Sequence, residues 1–267
     1  YFVYEADEYD RNFLTFKPHL SLITGIDWDH PDIYPTKDEY NSAFRQFLDQ
    51  SNCAYIWKKD ASKLGIDESN AKLGIIHKAD YPQFSLPGKV NREDAALAAK
   101  GVLIVLDKTD ISILASIANK FPGVSRRFEK IAKNIYSDYA HTPDKICGAL
   151  QLANEVNPDN VVVVYEGLHN TRQHFIKKEL GDLFNGVKKL YIVPSYRARE
   201  DESLEDLTPE KLKQIINQPK DIETAKFDNM LLANIKNHAE KDDLVLCLSA
   251  GGGKSLDEWL RKEFKNT

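Results

Sequence analysis

A chain of 267 residues is long enough for two domains of ordinary size, each with its own core. With 42% apolar and 29% charged residues, and no run near the roughly 18 apolar positions a membrane helix needs, the sequence reads as a globular protein with no membrane partner. A net charge of −5 argues against nucleic acid as a partner, and the three widely spaced cysteines, Cys53, Cys147 and Cys247, form no zinc pattern and suit a reducing, cytoplasmic setting.

No basic segment followed by an apolar one opens the chain, so a signal peptide is not expected. It starts at Tyr1 inside an apolar run, which reads as a piece of a longer polypeptide or a natural short form. Tyr1 to Tyr4 is expected to be a buried strand, leading straight into Glu5-Ala6-Asp7-Glu8-Tyr9-Asp10. Acids crowded at the carboxyl end of a strand repel one another, and ligand sites of open α/β sheets lie there. The run is therefore read either as a divalent-cation site or as a solvated loop.

A loop with a short helix follows over Asn12 to Lys17, broken by Pro18. A strand over His19 to Ile26 then ends in Asp27-Trp28-Asp29-His30, a second set of potential metal ligands. Helical spacing of Tyr40, Ala43, Phe44 and Phe47 predicts a helix over Lys37 to Gln50, with Thr36 as its N-cap. Strands are predicted over Cys53 to Trp57 and Leu73 to Ile76. Pro87-Gly88 should turn the chain into a helix capped by Asn91 and running through Ala95 to Leu106, and another helix spans Asp110 to Lys120. Phe121-Pro122-Gly123 then separates domain 1–122 from domain 123–267.

Beyond Val124 short strands alternate with helices. Strands are predicted at Ile135 to Asp138, Val161 to Tyr165, Lys189 to Val193 and Leu244 to Leu248. Helices are predicted at Pro143 to Val156, Thr171 to Phe184, Pro209 to Asn217, Asn229 to Glu240 and Ser255 to Phe264. This alternation predicts an α/β domain, a parallel sheet wound on both faces and Rossmann-like in outline.

Five stretches in order carry a resemblance: Glu5-Ala6-Asp7-Glu8-Tyr9-Asp10, Thr24-Gly25-Ile26-Asp27-Trp28-Asp29-His30, Gly88-Lys89-Val90-Asn91, Arg126-Arg127-Phe128-Glu129 and Asp138-Tyr139-Ala140-His141-Thr142-Pro143. Together they resemble the signatures of the Mur ligases, ATP-dependent amino-acid ligases of peptidoglycan synthesis. The acidic motif is most similar to the branch that joins L-alanine to UDP-N-acetylmuramate, and to its recycling relative that attaches a preformed peptide.

The resemblance implies the later part of a central ATPase domain followed by a C-terminal ligase domain, with ATP and Mg2+ as cofactors. It places Glu5 and His30 at the metal, Asn91 near the adenine, Arg127 at the ATP phosphates and Asp138 on the ribose hydroxyls. It makes His141 and Arg172 candidates for the amino-acid side, with Arg172 clamping a carboxylate. These residues belong to two domains, so the resemblance implies a site completed when they close.

Bland readings stand beside these: Asn91 and Asp138 as helix caps, Arg127 as a partner of Glu129, Arg172 as a solvated residue at a helix start. The sequence departs from the family pattern in three places. Leu168-His169-Asn170-Thr171-Arg172 stands where a His-Arg-x-x-Arg pattern is usual, and the histidine of Gly-x-His-Asn is absent. No Gly-x-x-Gly-Lys-Thr loop occurs among the 267 residues, so this chain by itself is expected to turn over little or no ATP. Gly251-Gly252-Gly253-Lys254-Ser255 lacks the spacing of that loop and reads as a tight turn or an anion contact at a helix start. A non-catalytic module that keeps the nucleotide crevice for binding is the alternative of another class.

Overall fold

The structure, a computed structural model, describes residues 1–67, 69, 71–77, 84–106, 110–198 and 200–265. The chain divides into two units, Tyr1–Phe121 and Pro122–Thr267. No helix among the described residues is long and apolar enough to cross a membrane.

The first unit is built on three parallel strands, β1 (Leu20–Ile23), β2 (Cys53–Trp57) and β3 (Leu73–Ile76), in the order β1-β2-β3. Helix α1 (Lys37–Gln50) forms where the 3.6-residue spacing predicts it. Thr36 caps it by accepting from the Glu39 amide at 3.2 Å, and Tyr40, Ala43, Phe44, Phe47 and Leu48 form its buried face. That face packs on Ile23, Ile26, Ala54 and Ile56, and a 3-10 turn over Tyr9–Thr15 delivers Phe13 to within 4.9 Å of the Phe47 ring. Helices α2 (Lys58–Lys63), α3 (Lys89–Val105) and α4 (Ile111–Ala118) complete the unit, with Trp57, Ile76, Leu97 and Ala115 in a second core.

Two expectations fail here. Tyr1 to Tyr4 is not a buried strand: Tyr1, Phe2 and Val3 are 96%, 88% and 94% exposed and no ladder includes them. A parallel strand exists only through a hydrogen-bonded neighbour, and the described ladders join β1 to β2 and β2 to β3 alone. Asn91 is not the cap of its helix either. Gly88, at φ 84°, turns the chain and α3 starts at Lys89, so Asn91 lies in the first turn and its Nδ2 donates to the Pro87 carbonyl at 2.8 Å.

The second unit holds a six-stranded sheet. In chain order its strands are β4 (Glu129–Ala132), β5 (Ile135–Asp138), β6 (Val161–Leu168), β7 (Lys189–Tyr196), β8 (Ile222–Thr224) and β9 (Leu244–Leu248). Their spatial order is β4-β5-β9-β6-β7-β8, parallel throughout except for β4. β6 lies inside the sheet and all eight of its residues are buried, which accounts for its unbroken valine run. Val161, Val163 and Tyr165 meet α5 (Pro143–Val156), α7 (Lys177–Leu183) and α8 (Pro209–Ile215) on one face. Val162 and Val164 meet α9 (Asn229–Glu240) and α10 (Leu256–Glu263) on the other. The predicted helix over Thr171 to Phe184 is two helices, α6 (Asn170–Phe175) and α7, broken at Ile176. Strands β4 and β8 escaped the sequence reading because they are short edge strands, and Glu129 and Lys130 give β4 little apolar character.

Candidate functional site

In the first unit the acidic run and His30 do come together, through other residues than expected. Asp7, Glu8 and His30 each bring one ligand atom to within 4.8 Å of the other two. Glu5 is exposed and outside this group. The 3-10 turn, entered by the Tyr9 amide donating to Asp7 Oδ1 at 2.9 Å, turns Glu8 inward. There Tyr40 donates its hydroxyl to Glu8 Oε1 at 3.2 Å, and Tyr34 donates to the Glu8 carbonyl at 2.6 Å.

His30 is set at φ 54°, its amide on Asp29 Oδ1 at 2.7 Å and its Nε2 3.9 Å from Glu8 Oε1. Burial pushes the Tyr34 hydroxyl up to about 12, with Arg11 opposing and Glu8 adding. Burial and the charges of Glu8 and Asp29 push Tyr40 far above its usual range, so both phenols stay protonated and donate. Two carboxylates and an imidazole at this spacing fit a hard divalent ion such as Mg2+ or Mn2+. The sequence could not choose Asp7 and Glu8 over Glu5, because all three share one run.

In the second unit the arginine loop lies against the carboxyl end of β5. Asp138, 8% exposed, accepts from the Ala140 amide on Oδ1 and from the Phe128 amide on Oδ2, both at 2.8 Å. Asp138 therefore ties the loop down and is not a helix cap; Thr142 holds the N-cap position of α5. Burial raises the Asp138 carboxyl above its ordinary value, against those two amides and Arg127. Arg127 is exposed, lies 5.4 Å from the Tyr139 ring centre, and forms no ion pair among the described residues. Its expected alternative partner, Glu129, is held by Arg261 at 2.6 Å and by the Arg126 amide at 2.7 Å, which lowers the carboxyl to about 2. His141, 6% exposed, donates Nδ1–H to the Tyr139 carbonyl at 2.8 Å.

Arg172 is 7% exposed, so it is not a solvated helix-start arginine. Its helix, α6, is clasped by the segment after β7. Glu200 accepts from the Asn170 and Thr171 amides at 3.0 Å each, and the Asn170 side chain donates to the Glu205 carbonyl and accepts from the Leu207 amide. A cavity of about 640 Å³ opens beside β7 and β8, lined by Arg197, Thr208, Glu223, Lys226 and Met230, and contains none of the expected site residues.

The Gly251 to Ser255 segment is the turn and not the anion contact. The amides at the start of α10 have internal acceptors: Leu256 on Glu166 Oε1 at 3.1 Å, Asp257 on Ser249 Oγ at 3.3 Å and Glu258 on Ser255 Oγ at 3.5 Å. A carboxyl oxygen of buried Glu166 takes the place an outside anion would occupy.

Residues 126–251 match the family model described as Mur ligase, glutamate ligase domain. Over 94% of its length the chain is 28% identical to the UDP-N-acetylmuramate–L-alanine ligase of Lactobacillus delbrueckii subsp. bulgaricus, of which it covers 62%. The chain is similar to Mur ligases over most of its length. It spans about three fifths of the length of the curated relatives it matches. The crystal structure of the UDP-N-acetylmuramate-alanine ligase MurC of Thermotoga maritima shares this Mur fold with a TM-score of 0.63 at 18% identity, covering 96% of this chain and 61% of that one. The folylpolyglutamate synthase of Mycobacterium tuberculosis, solved with ADP and AMPPCP, shares it with a TM-score of 0.54 at 13% identity, over 94% of this chain and 64% of that one.

Proposed function

We propose that this chain is the nucleotide- and amino-acid-handling part of an ATP-dependent ligase that joins L-alanine to UDP-N-acetylmuramate in peptidoglycan synthesis. The observation that carries the reading is likeness over nearly the whole chain to ligases of that name, together with an arginine loop tied to a buried aspartate at the end of a parallel strand. In this reading residues 1–122 are the later part of the central ATPase domain and 123–267 the C-terminal ligase domain.

The reaction transfers the γ-phosphoryl group of ATP to the substrate carboxylate, giving an acyl phosphate and ADP. The amine of alanine then attacks the acyl carbon, and the tetrahedral intermediate expels inorganic phosphate as the amide forms. No side-chain nucleophile is required, because positioning and electrostatics carry the work. A divalent ion on the Asp7, Glu8 and His30 group would offset phosphoryl charge.

Arg127, exposed and without an ion-pair partner among the described residues, suits a phosphate. Asp138 accepts one hydrogen bond on each oxygen and keeps a lone pair on each for ribose hydroxyls. Asn91, exposed in the first turn of α3, is the proposed adenine contact, and buried Arg172 the proposed clamp for the amino-acid carboxylate, with His141 beside the amine. The buried position of Arg172 favours a desolvated ion pair over a solvated one.

The test is calorimetric titration of ADP and ATP into this chain, with and without Mg2+. Binding that Asp138→Ala abolishes is the expected result, with no ATP hydrolysis. Sustained hydrolysis would contradict the role given to the absent glycine-rich loop, and the absence of any nucleotide binding would remove the reading of Arg127 and Asp138.

A further inference from the structure

We infer that Arg126 is the positioning residue for the nucleotide contacts of the second unit, acting through Arg127 and touching no ligand itself. The inference rests on the nucleotide reading of Arg127 proposed above. Arg127 is exposed, on a three-residue loop whose flanking residues have left-handed backbone, Arg126 at φ 59° and Phe128 at φ 48°. Such conformations in residues with a Cβ persist only where the surroundings over-determine them. Two backbone tethers hold the loop to the end of β5: the Tyr139 amide on the Arg126 carbonyl and the Phe128 amide on Asp138 Oδ2, both 2.8 Å.

Those tethers fix the backbone on each side of Arg127, and the Arg126 side chain locks the assembly to the rest of the sheet end. Its Nη2 donates to the Ser249 and Gly251 carbonyls at 2.9 Å each, and its Nε faces Asp257 Oδ2 at 3.4 Å. Its guanidinium also lies 4.6 Å from the Tyr139 ring centre, on the same ring that Arg127 approaches. Arg126 therefore joins the arginine loop, the segment after β5, the turn after β9 and helix α10. A planar guanidinium can meet two carbonyls, a carboxylate and a ring face together. A lysine ammonium, a point charge with no plane, cannot.

The test is a double-mutant cycle read by ADP titration into the whole chain: wild type, Arg126→Ala, Arg127→Ala and the double variant, with Arg126→Lys as a fifth protein. If Arg126 acts through Arg127, Arg126→Ala weakens ADP binding about tenfold, yet the double variant binds no more weakly than Arg127→Ala. Arg126→Lys, which keeps the charge and the stem, is expected to recover little of the loss. It also stands in for Arg126→Ala in the cycle should that variant not fold. Wild-type affinity in the Arg126 variants would overturn the inference. So would an undiminished further loss on the Arg127→Ala background, which is the mark of a general structural role. If the wild type binds no ADP, the nucleotide reading itself has failed and the inference falls with it. A failure confined to the variants leaves that reading standing.

Discussion

Replacing Glu166 by Gln should make the second unit less sensitive to pH between about 4.5 and 7, and the size of the change follows from its surroundings. Glu166 is 3% exposed at the end of β6. Ser249 Oγ donates to Oε2 at 2.6 Å and the Leu256 amide to Oε1 at 3.1 Å. Both bonds, the start of α10 and the charge of Arg126 favour the carboxylate, while burial and the nearby Asp257 favour the neutral acid. Burial wins, and the carboxyl is pushed from 4.5 up to about 7.

A carboxyl whose affinity for protons is higher in the folded state contributes stability that is complete below its unfolded value and is lost as pH rises through its folded value. From 4.5 to about 7, at about 1.4 kcal/mol per pH unit, the loss is about 3 kcal/mol. Glu166→Gln has no such proton to lose. The difference in unfolding free energy between variant and wild type should therefore shift by about 3 kcal/mol in favour of the variant between pH 4.5 and 7.5, then level off. Urea unfolding of both proteins at a series of pH values measures it, and groups common to both cancel. Parallel stability profiles across that range would refute the argument that burial outweighs the two donors.

Three further outcomes are expected. Mn2+ titration should show Glu8→Ala losing tenfold or more in affinity with Glu5→Ala near wild type, because Glu8 and not Glu5 lies with Asp7 and His30; the reverse order would favour the sequence motif over the geometry. Gly251→Ala would place a Cβ 2.5 Å from the Tyr196 ring and 2.8 Å from Ser255 Cβ, and should cost about 1–3 kcal/mol by chemical denaturation; Gly253→Ala meets nothing within 4 Å and should cost under about 0.5 kcal/mol. Asp243 is held below its usual range, against its own burial, by Lys188 Nζ at 2.6 Å and His238 Nδ1 at 2.8 Å. Asp243→Asn should then cost about 2 kcal/mol at pH 7, a loss that shrinks as pH falls through the folded value, where the wild-type carboxyl also becomes neutral; a pH-independent cost would assign the effect to packing.

The sequence was most legible where one physical signal dominated. The spacing of Tyr40, Ala43, Phe44 and Phe47, with Thr36 ahead of it, gave α1 its limits, and the uninterrupted valines of Val161 to Val164 announced an interior parallel strand. It was least legible where two signals compete. Asn91 is a good cap by residue type, but Gly88 supplies the turn three residues earlier and the helix starts there. Gly251 to Ser255 leaves open from sequence alone whether the amides at a helix start await an anion, since the acceptor of the first of them, Glu166, comes from β6, far away in the chain. Glu166 itself gave no local sign: a single acid at the end of an apolar strand reads as solvated until the partner segment is in place.

The arginines of the second unit show how such crowding specifies a site. Arg261 is committed to Glu129 and Asp257, and Arg126 to Asp257 and two backbone carbonyls. Glu166 is titrated towards neutrality by its own burial, so it adds less negative charge near pH 7 than its residue type suggests. The remaining cation of the arginine loop, Arg127, is exposed and has no acidic partner among the described residues except the longer-range field of Asp138. Arg126, Glu129, Asp257 and Arg261 thus hold one another and the turn after β9, and Arg127 is left for an outside anion. Arg126 and Arg127 are adjacent and chemically identical, so residue type cannot assign these roles; the partners in space do. Exchanging the ties, by removing Asp257 with Asp257→Asn, should loosen Arg126 and lower ADP affinity without touching Arg127, and unchanged affinity in that variant would show that the carbonyl contacts alone suffice.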